Sequence, residues 1–284
     1  MIKPRLQEDE FLKDVEAARQ EREHLHLWWL GQSGFLLQWQ GKHVLLDPYL
    51  SDSLTVKYAA TDKPHVRLTE RVVAPERLDF IDVVTSSHNH TDHLDADTLA
   101  PLRRVNPELR MLVPLANRDF VAKRLSMDPQ ALATVDAGQR LELAGFEFSG
   151  IPAAHEALER DALGRFIYLG YVVRLGPWIV YHSGDTIPYE GMVDLLRPWH
   201  IDVALLPING RAPERRVAGN LWGREAARLA KGIGARLVIP CHYDMFAFNT
   251  ATPEEFVNTA RELGQPQRVL EAGERWHSGE LPAR

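Results

Sequence analysis

Four side chains that commonly bind metal ions lie within six consecutive residues, at His88, His90, Asp92 and His93. They follow the run 81–86, which is rich in β-branched residues and predicts a strand, so we expect them in a loop at its carboxyl end. Residues two apart in extended backbone point the same way, so His88 and His90 can converge on one metal ion. Asp92 and His93 can face a neighbouring ion if the chain then turns into a helix. Imidazole and carboxylate ligands suit zinc, manganese or iron.

Three isolated residues extend this set, at His155, Asp185 and His242. Each comes within four residues after an apolar run that predicts a strand, so all three can project from one rim of the fold. Taken singly, each would more often be a structural residue, and clustered histidines can be incidental on a surface. Together with the first cluster, they predict a centre for two divalent metal ions, manganese or zinc.

The elements that must position these ligands fall into two blocks, each with strands first and helices later. A predicted antiparallel meander at 25–46 opens the first block, and strands between 140 and 182 open the second. Because no linker separates the blocks, we predict one domain over residues 1–284. Its class is α/β, with two stacked sheets and outer helices in a four-layered αββα sandwich. A helix at about 8–23 is expected on the outside, since its apolar residues recur at helical spacing.

Composition restricts the partners and the location of the protein. The 284 residues carry a net charge of −6, so no global basic field attracts nucleic acid, and we expect no nucleic-acid partner. No apolar run approaches the roughly 20 residues of a membrane helix, and the charged segment 1–23 has no apolar core typical of a secretory signal. Cys241 is the sole cysteine, which excludes an intramolecular disulfide. We expect a cytoplasmic protein without a membrane partner; assembly into homo-oligomers stays open.

A basic loop follows the predicted strand 203–207, at the rim where the ligands are expected. Its predicted substrate contacts are Asn209, Arg211, Arg215 and Arg216. Guanidinium groups bind oxyanions bidentately, so a phosphate or carboxylate on the substrate would fit this loop. The alternative is a solvated loop paired with Glu214.

The motif His-x-His-x-Asp-His, followed by isolated His, Asp and His after successive strands, resembles the metallo-β-lactamase superfamily. The resemblance spans nearly the whole chain after residue 24 and implies two ligand groups that share Asp185 as a bridge. The groups are His88, His90 and His155 for the first metal ion, and Asp92, His93 and His242 for the second. Every ligand position of the pattern is filled.

Further motifs at 29–35, 46–52 and 242–244 are similar to the L-ascorbate-6-phosphate lactonase-like branch of that superfamily. The resemblance implies that Asp47 is a buried group that orients a metal ligand. The alternative for Asp47 is the cap of a turn. Thr186 is expected to hydrogen-bond near the bridging carboxylate.

The resemblance and the basic loop together predict a metal-dependent hydrolase that opens a lactone or ester of a small, anionic, sugar-acid-like metabolite. Two neighbouring metal ions lower the pKa of a shared water and supply a bridging hydroxide. Asp92 and Asp185 are the predicted catalytic residues, because they hold the ions and orient that hydroxide. The general acid is not identified. A metal-dependent phosphodiesterase is the first alternative, and a non-catalytic metal-binding scaffold is the second.

Overall fold

The computed structural model describes residues 1–282, and its first sheet has seven strands. These strands are β1 (His26–Gly31), β2 (Gly34–Trp39), β3 (Lys42–Leu46), β4 (Val83–Thr85), β5 (Arg110–Pro114), β6 (Ala133–Val135) and β13 (Arg275–His277). Their order is β13-β1-β2-β3-β4-β5-β6. The first four pair antiparallel, which confirms the predicted meander, and β3 to β6 pair parallel.

The second sheet has six strands in the order β12-β11-β10-β9-β8-β7. They are β7 (Arg140–Leu143), β8 (Phe146–Pro152), β9 (Leu169–Leu175), β10 (Trp178–His182), β11 (Val203–Pro207) and β12 (Leu237–Cys241). Pairing is antiparallel from β7 to β10 and parallel from β10 to β12. As a result, β8, β10 and β12 run in the same direction, and their carboxyl ends meet at one edge of the sheet.

Seven helices lie within the described residues. They are α1 (Asp9–Ala18), α2 (Ser53–Tyr58), α3 (Ala96–Val105), α4 (Arg118–Arg124), α5 (Met192–Leu196), α6 (Gly223–Ile233) and α7 (Glu254–Glu262). The longest, α6, buries Ala227, Ala230 and Ile233 at helical spacing and contacts β11 and β12. Helices flank both sheets, which confirms the predicted αββα sandwich.

Apolar side chains from both sheets and their helices form one extensive core. Phe35, Leu45, Phe148 and Val180 are completely buried in it, and such burial is the main favourable term in folding. Between residues 1 and 282, no helix is both long and apolar enough to cross a membrane.

Four elements differ from the sequence-based expectation. The helix predicted at 8–23 ends at Ala18, because no further apolar residue continues its buried face of Phe11, Val15 and Ala18. Helix α2 lies in a segment for which no helix was predicted. Strands β6 and β13 were not predicted, since each has only three residues and is held by its neighbour in the sheet.

Candidate metal centre

The first group of candidate ligands is His88, His90 and His155. The loop after β4 carries the first two, and the loop after β8 carries the third. One ligand atom of each residue lies within 4.8 Å of the others, and His155 Nε2 is 3.1 Å from His90 Nδ1. Three imidazoles at this spacing can hold one divalent ion.

The second group is Asp92, His93, Asp185 and His242, whose ligand atoms also lie within 4.8 Å of one another. His242 Nε2 is 3.5 Å from Asp92 Oδ2 and 3.3 Å from Asp185 Oδ2. His93 Nε2 is 3.2 Å from Asp185 Oδ1. This group combines two imidazoles with two carboxylates, so it is richer in oxygen than the first.

Asp185 lies between the two groups. Besides facing His93 and His242, its Oδ2 is 3.5 Å from His155 Nε2 in the first group. The loop after β10 can place the carboxylate there because its neighbour Gly184 approaches Ser87 closely; a Cβ at residue 184 would lie 2.8 Å from the Ser87 side chain. The structure thus brings all seven predicted ligands together, with Asp185 within reach of both groups.

Hydrogen bonds on the outer ring nitrogens orient the histidines. His155 Nδ1 lies 2.9 Å from the Gly219 carbonyl oxygen, to which it can only donate. His93 Nδ1 lies 2.8 Å from Asp47 Oδ2, and His88 Nδ1 lies 3.0 Å from Ser87 Oγ. Each bond turns the Nε2 atom of its ring toward the centre, as is usual for histidines that bind metals.

The donor set fits a metal ion. His88 Nε2 is buried and has no hydrogen-bond partner within residues 1–282. Buried polar atoms are nearly always satisfied, so an unpaired imidazole nitrogen among other potential ligands fits the role of a metal ligand. Imidazole and carboxylate groups without thiolate suit zinc or manganese equally.

The proton balance of the two groups differs. Burial lowers the pKa of His88, His90 and His155, so these rings are neutral and offer lone pairs. In the second group burial also opposes protonation, but the Asp185 and Asp92 carboxylates raise the pKa of His242 to about 9. In the second group, protonated histidines therefore balance the negative charge of the buried carboxylates, and a divalent cation would take over that role.

Asp47 and Thr186 hold the ligand loops in place. Asp47 is completely buried, and its carboxylate accepts hydrogen bonds from the Ser87 backbone N–H and the Thr85 hydroxyl in addition to its contact with His93. The Thr186 hydroxyl accepts from the Ala154 N–H and donates to the Ile187 carbonyl. The expected hydrogen bond of Thr186 near the Asp185 carboxylate is thus replaced by bonds to the backbone beside His155.

Sequence reasoning missed Gln32, which lies in the turn between β1 and β2. Its side-chain Nε2 donates to Asp92 Oδ2 at 2.7 Å and lies 3.1 Å from His242 Nε2. The predicted meander includes this turn, but the glycine and serine residues beside Gln32 give no indication that its side-chain amide reaches the ligands.

A half-open cavity of about 310 Å³ lies over the two groups. Its wall includes Leu54, Tyr58, Phe246 and Phe248, and it is also lined by the cationic side chains of Lys57 and Arg124. His65 belongs to the same wall, where it is stacked on Tyr58 with ring centroids 4.1 Å apart. The segment between β3 and β4 supplies much of this wall.

The four predicted substrate contacts of the basic loop are not part of the lining of that cavity. Arg211 forms a bidentate pair with Glu225, Arg215 donates to the carbonyl oxygens of Asn209 and Thr250, and exposed Arg216 pairs with Asp62. Asn209 is completely buried and donates to Asn249. The assignment of these four residues to substrate binding therefore stays a prediction, and the three guanidinium groups are paired with other groups of the protein in this structure.

Comparison with known proteins places this geometry in a family. The family described as "Beta-lactamase superfamily domain" matches residues 42–243. A "UPF0173 metal-dependent hydrolase" of Caldivirga maquilingensis is 28% identical over 249 residues, which are 86% of this chain and 93% of the relative.

Solved structures show the same fold. Igni18, a metallo hydrolase from Ignicoccus hospitalis, superposes with a TM-score of 0.65 at 22% identity, over 89% of this chain and 98% of its own. The isothiocyanate hydrolase from Delia radicum gut bacteria gives 0.69 at 19% identity, over 88% and 98%. The chain therefore belongs to the β-lactamase superfamily domain family, within the metallo-β-lactamase superfamily.

Proposed function

We propose that the protein is a hydrolase that depends on two divalent metal ions. The observation that carries this proposal is the pair of ligand groups on either side of Asp185, at the floor of an open cavity. The name of the Caldivirga relative, a metal-dependent hydrolase, supports the same reaction class. A scaffold that only binds metal needs neither a shared carboxylate nor a cavity above the ligands.

When bound, a pair of divalent ions supplies a hydroxide nucleophile at neutral pH and polarises the oxygen of the electrophile. The chain's own residues determine where this happens. Asp185 faces both groups, and Asp92 lies at the cavity surface, where its side chain is 16% exposed. We propose these two carboxylates as the catalytic residues, because they would hold the ions and orient the nucleophile that the ions supply.

We propose a carboxylic ester or lactone of a small anionic metabolite as the substrate, in keeping with the resemblance to the lactonase-like branch. A cavity of about 310 Å³ accepts a small molecule. Exposed Lys57, rather than the basic loop, would meet the anionic group. The apolar wall of Leu54, Phe246 and Phe248 would cover the carbon skeleton.

A phosphodiester is the second candidate substrate, because two cationic side chains, Lys57 and Arg124, line the cavity. The same two metal ions serve an in-line attack on phosphorus. Arg124 already donates to the carbonyl oxygens of Asn89 and Leu94, which bracket the ligand loop. This commitment of its guanidinium makes the phosphodiester the less favoured candidate.

We further propose that the protein acts in the cytoplasm, on a metabolite rather than on nucleic acid or a membrane. The net charge of −6 supports this proposal, since binding to phosphate backbones depends on an excess of basic side chains. Manganese and zinc are both proposed as the natural ions, and assembly into homo-oligomers is compatible with the fold.

Turnover by protein reconstituted separately with manganese and zinc tests the function. Sugar-acid lactones and simple carboxylic esters are compared with a generic phosphodiester. We expect metal-dependent ester or lactone opening. Asp185→Asn and His88→Ala should lower kcat/KM by at least about 100-fold, because even groups that merely orient ligands are worth about 10–100-fold.

A matched histidine variant, His24→Ala, controls for nonspecific damage, since His24 is partly exposed and, within residues 1–282, its side chain contacts Glu23 and neighbouring rings but no candidate ligand. Phosphodiester cleavage with inert esters would replace the favoured substrate while keeping the centre. Stoichiometric metal binding without turnover of either class would favour the scaffold alternative instead.

A further inference from the structure

Hydrogen bonds hold the backbone of Gln32 beside the second ligand group. The residue adopts a left-handed conformation, with φ of 49°, which a non-glycine residue rarely takes without support. Its carbonyl oxygen accepts hydrogen bonds from the His242 backbone N–H at 2.9 Å and from Trp29 Nε1 at 3.0 Å. Trp29 is itself stacked on Tyr243, with ring centroids 4.4 Å apart. The direction in which the Gln32 side chain leaves the turn is therefore fixed.

The side-chain amide of Gln32 stands between two candidate ligand atoms. Its Nε2 is 2.7 Å from Asp92 Oδ2 and 3.1 Å from His242 Nε2, and those two atoms are 3.5 Å apart. A cation held by Asp92 and His242 would lie close to this amide. Since His242 Nε2 would then bind the ion, it could no longer accept a hydrogen bond from Gln32.

The other amide atom, Gln32 Oε1, is buried and has no hydrogen-bond partner within residues 1–282. Buried polar atoms are nearly always paired, so the position of this carbonyl oxygen calls for a partner. Rotation of the terminal amide by half a turn exchanges its oxygen and nitrogen with almost no change of shape. Either atom can thus face the space between Asp92 and His242.

We propose that Gln32 supplies an amide-oxygen ligand to the second metal ion. The inference rests on the proposed two-ion centre. It adds a neutral oxygen to the Asp92, His93, Asp185 and His242 group, whereas the first group keeps three imidazoles and Asp185. The second ion is consequently held mainly by oxygen, which favours a harder cation such as manganese there more than at the first position.

Calorimetric titration of Mn²⁺ and of Zn²⁺ into chelator-treated full-length protein tests the proposal. Gln32→Leu keeps the approximate shape of the side chain and removes the oxygen. We expect the affinity for one of two ions to fall by about 10–100-fold, with the other ion unaffected, and a larger loss for Mn²⁺ than for Zn²⁺. Gln38→Leu is the matched control, because Gln38 is a buried glutamine on β2 that contacts His43 and no candidate ligand.

Gln32→Glu separates a ligand from a mere hydrogen-bond donor. As a ligand, the carboxylate keeps the oxygen and adds charge, so the affinity of the second ion should equal or exceed that of the wild type. If Gln32 serves only to donate to Asp92, the new carboxylate repels Asp92 and affinity falls. Unchanged binding in Gln32→Leu, or weakened binding in Gln32→Glu, would overturn the proposal. A wild type that binds fewer than two ions would instead contradict the proposed centre.

Discussion

At the scale of single residues, the centre depends on carboxylates that touch the imidazoles from outside. Asp47 is ionised although it is completely buried, because the His93 ring, His182 and Ser87 offset the burial that would otherwise raise its pKa. A buried charge of this kind is tolerated only when it is paired and hydrogen-bonded. Its contact with His93 therefore ties the stability of the loop after β4 to the orientation of a ligand.

Asp47→Asn tests this link between the stability of the loop and the orientation of His93. The amide replaces an acceptor with a donor next to the His93 and Ser87 N–H groups, so we expect metal affinity to fall by about 10–100-fold. Metal titration followed by thermal unfolding measures both effects. Asp202→Asn is the control, since Asp202 is equally buried but pairs with Arg236. It should lower the unfolding temperature and leave metal affinity unchanged; equal affinity in the two variants would refute the role of Asp47.

A second residue-scale prediction concerns His43 on β3. Burial, assisted by the nearby Arg19 cation, lowers its pKa to about 3, whereas the unfolded chain titrates near the usual 6.5. As pH falls below 6.5 the unfolded chain gains the proton first. The stability contributed by neutral His43 is therefore complete above pH 6.5 and is lost as pH falls toward 3.

His43→Gln should remove this pH dependence. Between pH 7.5 and 5, the free energy of unfolding of the wild type should fall by about 2 kcal/mol more than that of the variant. Denaturant unfolding with chelator in every sample keeps ligand protonation the same in both proteins. Parallel pH profiles would show that His43 does not stay neutral in the folded state.

At the scale of elements, the loops after β4 and β10 must nearly touch for the two ligand groups to share Asp185. Gly184 permits this approach, since it has a positive φ of 59° and a Cβ there would lie 2.8 Å from both Ser87 and the Leu169 carbonyl oxygen. Gly164 also has a positive φ, 79°, but open space around the missing Cβ. Substitutions at the two glycines therefore distinguish two costs: backbone strain, which is expected at both positions, and steric crowding, which is expected at Gly184.

We expect Gly164→Ala to cost about 1 kcal/mol of stability, from strain alone. Gly184→Ala should cost about 3 kcal/mol, because crowding adds to the strain, and it should also weaken metal binding by displacing Asp185. Thermal unfolding with and without metal gives both quantities. Similar losses in the two variants would mean that the loops do not need this close approach.

Most elements were predictable because their signals are local. The apolar runs of β1 to β3 and the apolar periodicity of α6 are visible in the sequence, and so are the strands that precede the histidines. Strand β13 has no such signal; Arg275 and His277 form a strand only because β1, from the other end of the chain, pairs with them.

The metal ligands could be predicted as well as the strands that precede them. The contacts that were missed have no local signal in the sequence, as is true of β13. The ligands follow predictable strands, so their convergence could be expected. The role of Gln32 depends on its contact with Asp92, which is remote in sequence. The role of Arg211 depends on its contact with Glu225, from which it is separated by a turn. Residue type alone suggested an anion site at Arg211, whereas the fold uses that guanidinium as an internal partner.

At the scale of the whole molecule, the centre joins loops from both sheets, so bound metal should stabilise the entire fold. Ions that bind only the folded state add about 2.7 kcal/mol at a free concentration 100 times the dissociation constant. Chelator should therefore lower the Tm, and added Mn²⁺ or Zn²⁺ should restore it. His24→Ala should respond like the wild type. A Tm indifferent to both treatments would contradict metal binding between the sheets.

The most direct test of the two-ion centre is the number of metal ions bound per chain, measured by elemental analysis after saturation with Mn²⁺ or Zn²⁺ and removal of free ion. The geometry predicts two ions in the wild type and the loss of at least one in Asp185→Asn, because Asp185 faces both groups. Loss or weaker binding of both ions in Asp185→Asn would agree with a carboxylate that the two ligand groups share. One ion or none in the saturated wild type would contradict the account.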